Sequence, residues 1–239
     1  MLKPFTLFQR GSQTFREVQS IRQQLGLILR EEEFGQERLS SGTVVVFLHG
    51  IMASGIVLNH LAEAVSKHSA ASTLLFSYSR WTWTIDELTA DFNSFLEEHV
   101  GADVDIILVG HSLGGMIARA FLQDYQDERV AGVITIATPH QGTMLGKTGM
   151  SWVRELFLPE GPVIKKLQEG EQSAQHIPHV CIAAELDQVI TPRESATGLS
   201  WATHYWIENV GHNEMLYSPA LEECLLTEIG RFLCSAEEN

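Results

Sequence analysis

The chain has 239 residues, 44% hydrophobic, 8% aromatic and 19% charged, which suits one large core and excludes a disordered tail protein. Sixteen Lys and Arg against thirty Asp and Glu give a formal charge of −14, a field that repels nucleic acid and anionic lipid but does not penalise an uncharged substrate. Cys181, Cys224 and Cys234 have no metal-ligand spacing and leave one odd thiol, which argues against a disulfide scaffold and for a reducing cytoplasm.

The opening MLKPFTLFQRGSQ lacks a continuous apolar segment of the secretory type. No apolar run approaches the roughly 20 residues needed to cross a bilayer. The expectation is a soluble, cytoplasmic protein with no integral membrane segment. Phe15, Val18, Ile21, Leu25 and Ile28 lie at helical intervals. They predict, within an N-terminal segment 1–42, an amphipathic helix packed by that face on the core; an interaction helix for a partner is the alternative.

From Thr43 the chain alternates β-branched runs with amphipathic stretches. TVVVFLHG (43–50) reads as a strand, SGIVLNHLAEAVSKH (54–68) as a helix and STLLFSYS (72–79) as a strand. TIDELTADFNSFLEEHV (84–100) follows as a helix opened by Thr84. DIILVG (105–110) is strand, SLGGMIARAFLQDYQ (112–126) helix and VAGVITIAT (130–138) strand. Residues 141–177 interrupt the rhythm with no strand signal. HVCIAAE (179–185) and THYWIENV (203–210) resume it as strands, and a helix over about 218–234 closes the chain. Repeating βα units predict a doubly wound, mostly parallel sheet with helices on both faces. The domain spans 43–239, with 141–177 as a lid-like or cap-like insertion.

Gly110-His111-Ser112-Leu113-Gly114 falls between a predicted strand and a predicted helix. A serine hydroxyl becomes a useful nucleophile when a tight turn holds it exposed, beside a base and near backbone donors. Such a turn strains the serine, and small residues two before and two after prevent a clash. The helix start adds partial positive charge where an oxyanion would form. Neither a G-x-G-x-x-G nor a Walker phosphate loop occurs, and no spacing of His, Cys, Asp and Glu suggests a metal. The expectation is therefore no cofactor and no metal.

GHSLGG (110–115), VVVFLHGIM (44–52) and ATPHQGT (137–143) fall in an order that resembles the lipase and esterase branch of the α/β-hydrolase superfamily. The resemblance covers roughly 43–235. No leading antiparallel strands are evident before Thr43, which suggests the shortened sheet of small lipases. The resemblance implies main-chain oxyanion donors at Ile51 and Leu113, with His49 holding the loop. It also implies the order nucleophile, acid, histidine. His212, in ENVGHNEML after a late strand, then fits the base better than His204, inside a strand, or His111 and His140, which flank the site. Glu185 and Asp187 compete as the acid. Asp187 is further into the loop, and its QVITP continuation is similar to the family's D-x-V-V-P segment. Asp86 and Asp91 come too early in the chain and read as solvated helix positions.

The implied chemistry is ester hydrolysis through an acyl-enzyme, with Ser112 as nucleophile, His212 as base and Asp187 orienting the ring. Thioesterase, amidase, acyltransferase and cofactor-free haloperoxidase activities use the same three groups and stay open. A non-catalytic binding protein on the same fold is a further reading. Trp81, Trp83, Met144, Leu145 and Met215 are the candidate substrate-binding residues, consistent with a small ester or lipid-like substrate carrying an apolar acyl group. MSWVRELFLP reads either as a lid or pocket wall or as a plain core helix. Trp81 and Trp83 read either as crevice residues or as a cap on the sheet edge. The sequence does not fix an oligomeric state.

Overall fold

The computed structural model of the protein describes residues 7–28, 38–78, 84–147 and 151–237. In chain order the elements are α1 (Leu7–Ile28), β1 (Gly42–Leu48), α2 (Asn59–His68), β2 (Ser72–Phe76), α3 (Ile85–His99), β3 (Val104–His111), α4 (Leu113–Tyr125) and β4 (Val130–Ile136). They continue with α5 (Ser151–Phe157), α6 (Pro162–Glu169), α7 (Glu171–Ala174), β5 (His179–Ala184), β6 (Thr203–Ile207) and α8 (Pro219–Glu237). The six strands form one parallel sheet in the order β2-β1-β3-β4-β5-β6. The winding reverses between β1 and β3. A crevice opens there at the carboxyl ends of the strands, the position where ligands bind in open α/β sheets.

Alternation along β1 explains why the strand is apolar throughout. Val44, Val46 and Leu48 share one core layer with Phe92 of α3 and Ile117 and Phe121 of α4. Val45 and Phe47 point into the opposite layer, with Leu61 of α2 and Leu221, Leu225 and Ile229 of α8. Burying each such side chain contributes about 1.5–3 kcal/mol, so both faces of the sheet are committed to helices. Thr84 caps α3 as expected: its hydroxyl oxygen accepts from Glu87 N at 3.3 Å, and its hydroxyl donates to the Glu87 carboxylate at 2.6 Å.

Several element boundaries differ from the sequence reading by a few residues. The stretch 54–68 opens with a 3-10 turn, Gly55–Leu58, before α2 begins. Gly55 N is drawn onto Ser77 Oγ at 2.8 Å, which holds that turn against the end of β2. The last strand stops at Ile207 because Asn209 takes φ +60° and its N–H turns to Glu185 Oε2 at 3.0 Å. Residues 141–177 carry a 3-10 turn, Met144–Lys147, followed by α5, α6 and α7. Lys166 of α6 fastens this segment to α3 and α4 through Asp86 and Asp124, each at 2.7 Å.

The largest departure concerns α1. The helix forms, but the apolar face expected against the core is turned outward. Phe15 is 63% exposed, Val18 42%, Ile21 41% and Leu25 51%, whereas Gln13, Glu17, Ser20 and Gln24 are buried. The reason lies in what α1 covers. It lies over the loops that follow β5 and β6, whose free main-chain N–H and C=O groups need polar partners once water is excluded. The Ile28 side chain lies outside the described residues. Among the described residues no helix is long and apolar enough to cross a membrane.

Close packing at the start of α4 leaves no room for a side chain at Gly114. A Cβ there would lie 2.1 Å from Leu48 O, a backbone atom of β1. At Gly230 in α8 a Cβ would meet nothing within 4 Å. Gly114→Ala is expected to destabilise by about 3 kcal/mol or more, lowering Tm by roughly 6–12 °C for a domain of this size. Gly230→Ala is expected to stabilise by about 0.5–1 kcal/mol through the lower entropy of its unfolded chain. Thermal melts of the two variants check both signs.

Candidate active site

β3 delivers Ser112 to the switch-point crevice. The chain turns directly from strand to α4, and Ser112 takes φ 53° and ψ −115°, a conformation that costs an L-residue energy. Its N–H donates to Ile136 O at 2.8 Å, which pins the turn to β4. The turn closes because glycines stand on either side. A Cβ at Gly110 would lie 2.4 Å from Gly115 N. This is the strained strand-to-helix elbow that the motif implies.

The loop after β5 carries Asp187 and the loop after β6 carries His212. His212 Nδ1 is 2.8 Å from Asp187 Oδ2, and both side chains are almost fully buried. The other carboxylate oxygen, Asp187 Oδ1, accepts from Val189 N and Ile190 N at 2.8 Å each. The carboxylate is therefore fixed on one side by its own loop and free on the other to orient the imidazole. With Nδ1–H donated to Asp187, the lone pair of His212 stands on Nε2. Burial acts to lower the His212 pKa. The Asp187 carboxylate and, more weakly, Glu17 act the other way, and the net shift is above the ordinary histidine value.

His111 joins the two halves of the site. It precedes Ser112, its ring centroid lies 4.9 Å from that of His212, and its Nε2 is 3.3 Å from His212 O. Burial, reinforced by His212, holds His111 well below the ordinary histidine range, so it stays neutral. Ser112 and His212 thus sit on adjoining elements, but among the described residues the serine hydroxyl makes no hydrogen bond to His212 Nε2. Contacts of this kind are commonly loose without substrate and tighten when it is bound.

Ile51 and Leu113 flank the serine. Leu113 is the first residue of α4, so its N–H has no intrahelical acceptor. Ile51 lies just past β1. His49 is a loop anchor: its ring stacks on Tyr78 at 3.9 Å, Tyr78 N donates to its Nε2 at 3.3 Å, and its Nδ1 is 2.7 Å from Gly50 O. His140 and His204 are likewise spent on structure. His140 Nε2 is 2.9 Å from Thr135 Oγ1, and His204 Nε2 is 2.7 Å from Leu199 O. Glu185 accepts from Asn209 N, whereas the partner of the imidazole is Asp187.

Ser112 opens onto a cavity of about 540 Å³. Ile51, Met52, Leu145, Trp152, Phe157 and Ile190 form most of its wall, and among the described residues no charged one lines it. Of the substrate-contacting residues expected from sequence, Leu145 lines this cavity. Met144 lies on the same 3-10 turn, 40% exposed, with its N–H bound to Thr191 O at 2.9 Å. Met215 has to be reassigned. The 3-10 turn Glu214–Tyr217, closed by Met215 N to Gly211 O at 3.1 Å, turns it fully into the core layer beneath α8. Trp81 and Trp83 lie outside the described residues. Trp152 and Phe157, both from MSWVRELFLP, line the wall, and Met52 and Ile190 join them from outside the expected set.

Arg119 was also missed. Fully buried in α4, it donates to Leu167 O at 2.9 Å and to His140 O at 3.2 Å, tying α6 to the loop after β4. Burial lowers its pKa to about 10, so it remains a cation.

A parallel sheet with this winding, a strained serine at the switch point and a paired aspartate and histidine on the last two loops define the class: the chain has the α/β-hydrolase fold. The family model for that fold matches residues 43–157. No curated protein matches the chain. Among solved structures, a monoacylglycerol lipase from Paleococcus ferrophilus is similar with a TM-score of 0.59 at 18% identity, over 84% of this chain and 99% of that one. A carboxylesterase from Bacillus subtilis is similar with a TM-score of 0.56 at 15% identity, over 94% of this chain and 99% of that one. A gene product of Listeria innocua reaches a TM-score of 0.59 at 15% identity, over 80% of this chain and 92% of that one.

Proposed function

We propose that the chain is a serine hydrolase of carboxylic esters, an esterase or lipase, acting on substrates with an uncharged, apolar acyl group. The observation that carries this reading is the hydrogen bond between Asp187 and His212, together with an apolar cavity onto which Ser112 opens. The lipase and the carboxylesterase of the same fold support it.

In this mechanism His212 Nε2 takes the Ser112 proton as Oγ attacks the acyl carbonyl carbon. The N–H groups of Ile51 and Leu113 hold the oxygen of the tetrahedral adduct. Losing one such donor typically costs about 10²–10³ in rate. The protonated ring then gives its proton to the leaving alkoxide, and an acyl-enzyme remains on Ser112. Water, deprotonated by the same nitrogen, attacks the acyl carbon and releases the acid. Asp187 holds the ring and stabilises its positive charge without taking the proton.

The wall supplies specificity. An acyl chain laid against Ile51, Trp152 and Phe157 gains about 25 cal/mol for each Å² removed from water, and a carboxylate or phosphate there would meet no counter-charge among the described wall residues. Turnover of p-nitrophenyl esters from acetyl upward, beside the matching acyl-CoA thioesters, tests the reading. The expected result is a rise in kcat/KM with acyl length to an optimum, with esters preferred. A fluorophosphonate probe is expected to label Ser112 alone. Labelling at another residue, or turnover confined to the thioester, overturns the assignment.

A further inference from the structure

We propose that α1 is a part of the active centre, with Gln13 and Glu17 acting as positioning residues that clamp the loop of the acid and the loop of the histidine together. The inference rests on the hydrolase reading for its kinetic consequences, but the clamp itself is a matter of geometry. Gln13 and Glu17 stand one helical turn apart on the inner face of α1, 1% and 8% exposed. Gln13 takes the acid loop on both sides of Asp187: its Nε2 donates to Leu186 O at 2.9 Å, and its Oε1 accepts from Gln188 Nε2. Glu17 takes the histidine loop: Oε1 accepts from Asn213 N at 2.8 Å and from Asn213 Nδ2 at 2.7 Å, and Oε2 accepts from Glu214 N at 3.1 Å. Arg16 reinforces the grip, donating to Asn209 O at 2.7 Å and pairing with Glu214 at 2.5 Å.

The fit is close. A Cβ at Gly211, the residue before His212, would lie 2.6 Å from both Gln13 Nε2 and Glu17 Oε2. Two loops that belong to different strands are thus fastened to one rigid rod, on either side of the bond between Asp187 and His212. A buried carboxylate with three N–H donors is an expensive group to place on a helix that only covers a surface, where an alanine or leucine would serve. Its negative charge also acts on His212, whose ring faces Asp187 from the β5 loop, His111 from β3 and Glu17 from α1, with Glu214 neutralised by Arg16.

The experiment uses the full chain with Glu17→Gln, Glu17→Ala and the outward-facing control Phe15→Ser. The titration of His212 is followed by NMR, its signal identified by loss in His212→Asn, and kcat and KM are measured on the best ester. Glu17→Gln keeps an acceptor and removes the charge, so the His212 midpoint is expected to move to lower pH, and the acid limb of kcat with it. Glu17→Ala is expected to lower kcat by about 10²-fold through misplacement of the base, with KM nearly unchanged. Phe15→Ser is expected to change neither. An unmoved midpoint in Glu17→Gln, or a loss in Glu17→Ala confined to KM, overturns the proposal. A wild-type chain without ester turnover but with the shifted midpoint supports the clamp and sinks the hydrolase reading instead.

Discussion

Ser112→Ala is expected to lower kcat for the best ester by about 10⁶-fold, down to the level supplied by the oxyanion donors and binding alone. The magnitude follows from the division of labour in the proposed mechanism. Without Oγ there is no acyl-enzyme, and His212 and Asp187 are left with a proton acceptor and no nucleophile to serve. The substitution is also gentle. Ser112 Oγ makes no hydrogen bond to His212 in the free protein, and the β3–α4 turn is held by main-chain contacts such as Ser112 N to Ile136 O at 2.8 Å. Tm is therefore expected to stay within about 2 °C of the parent. Burst kinetics with a chromogenic ester and a thermal melt read the two quantities. Retained turnover identifies another nucleophile, and a collapsed Tm makes the loss uninterpretable as chemistry.

Asp187→Asn is expected to cost about 10⁴ in kcat. An asparagine can keep its amide oxygen on Val189 N and Ile190 N, the two donors that hold Asp187 Oδ1 at 2.8 Å each. Its NH₂ then faces His212 Nδ1, where a carboxylate oxygen stands now at 2.8 Å. The imidazole must accept on Nδ1, so its proton moves to Nε2 and no lone pair is left to take the serine proton. The fold survives while the tautomer is wrong. Kinetics with the same ester series measure the loss, and the downfield Nδ1–H resonance of His212 is expected to vanish. Full activity turns attention to Glu185, which is tied instead to Asn209 N at 3.0 Å.

How far the sequence could be read depended on whether the signal was local. β1, β3 and β4 are continuous β-branched runs closed by motifs, and the elbow announces itself because a serine between Gly110 and Gly114 has few other uses. The pairing of Asp187 with His212 is a contact across 25 residues, and chain order, loop position and the QVITP likeness pointed to it rather than any periodicity. The walls of the cavity were harder to read. Trp152 and Leu145 come from a segment whose period is helical whether it lines a pocket or fills a core. Met215 follows the histidine in sequence yet turns away from it. Helix α1 misled for a definite reason. It carries two stripes, apolar at 15, 18, 21 and 25 and polar at 13, 17, 20 and 24, and hydrophobicity favours burying the first. The surface beneath it presents loop backbone and polar side chains such as Gln188, Asn213 and Glu214, a fact that no periodicity contains.

The grip of Glu17 on Asn213 joins residues 196 positions apart. During synthesis at about 5–20 residues per second, the helix emerges roughly 10–40 s before the loop it must hold. For that interval the nascent chain carries a buried-type carboxylate and glutamine with nothing to bind, on a helix whose other side is greasy. Helix α1 thus waits for its counterpart, and its grip on the loop of His212 can close only once residue 213 has been made.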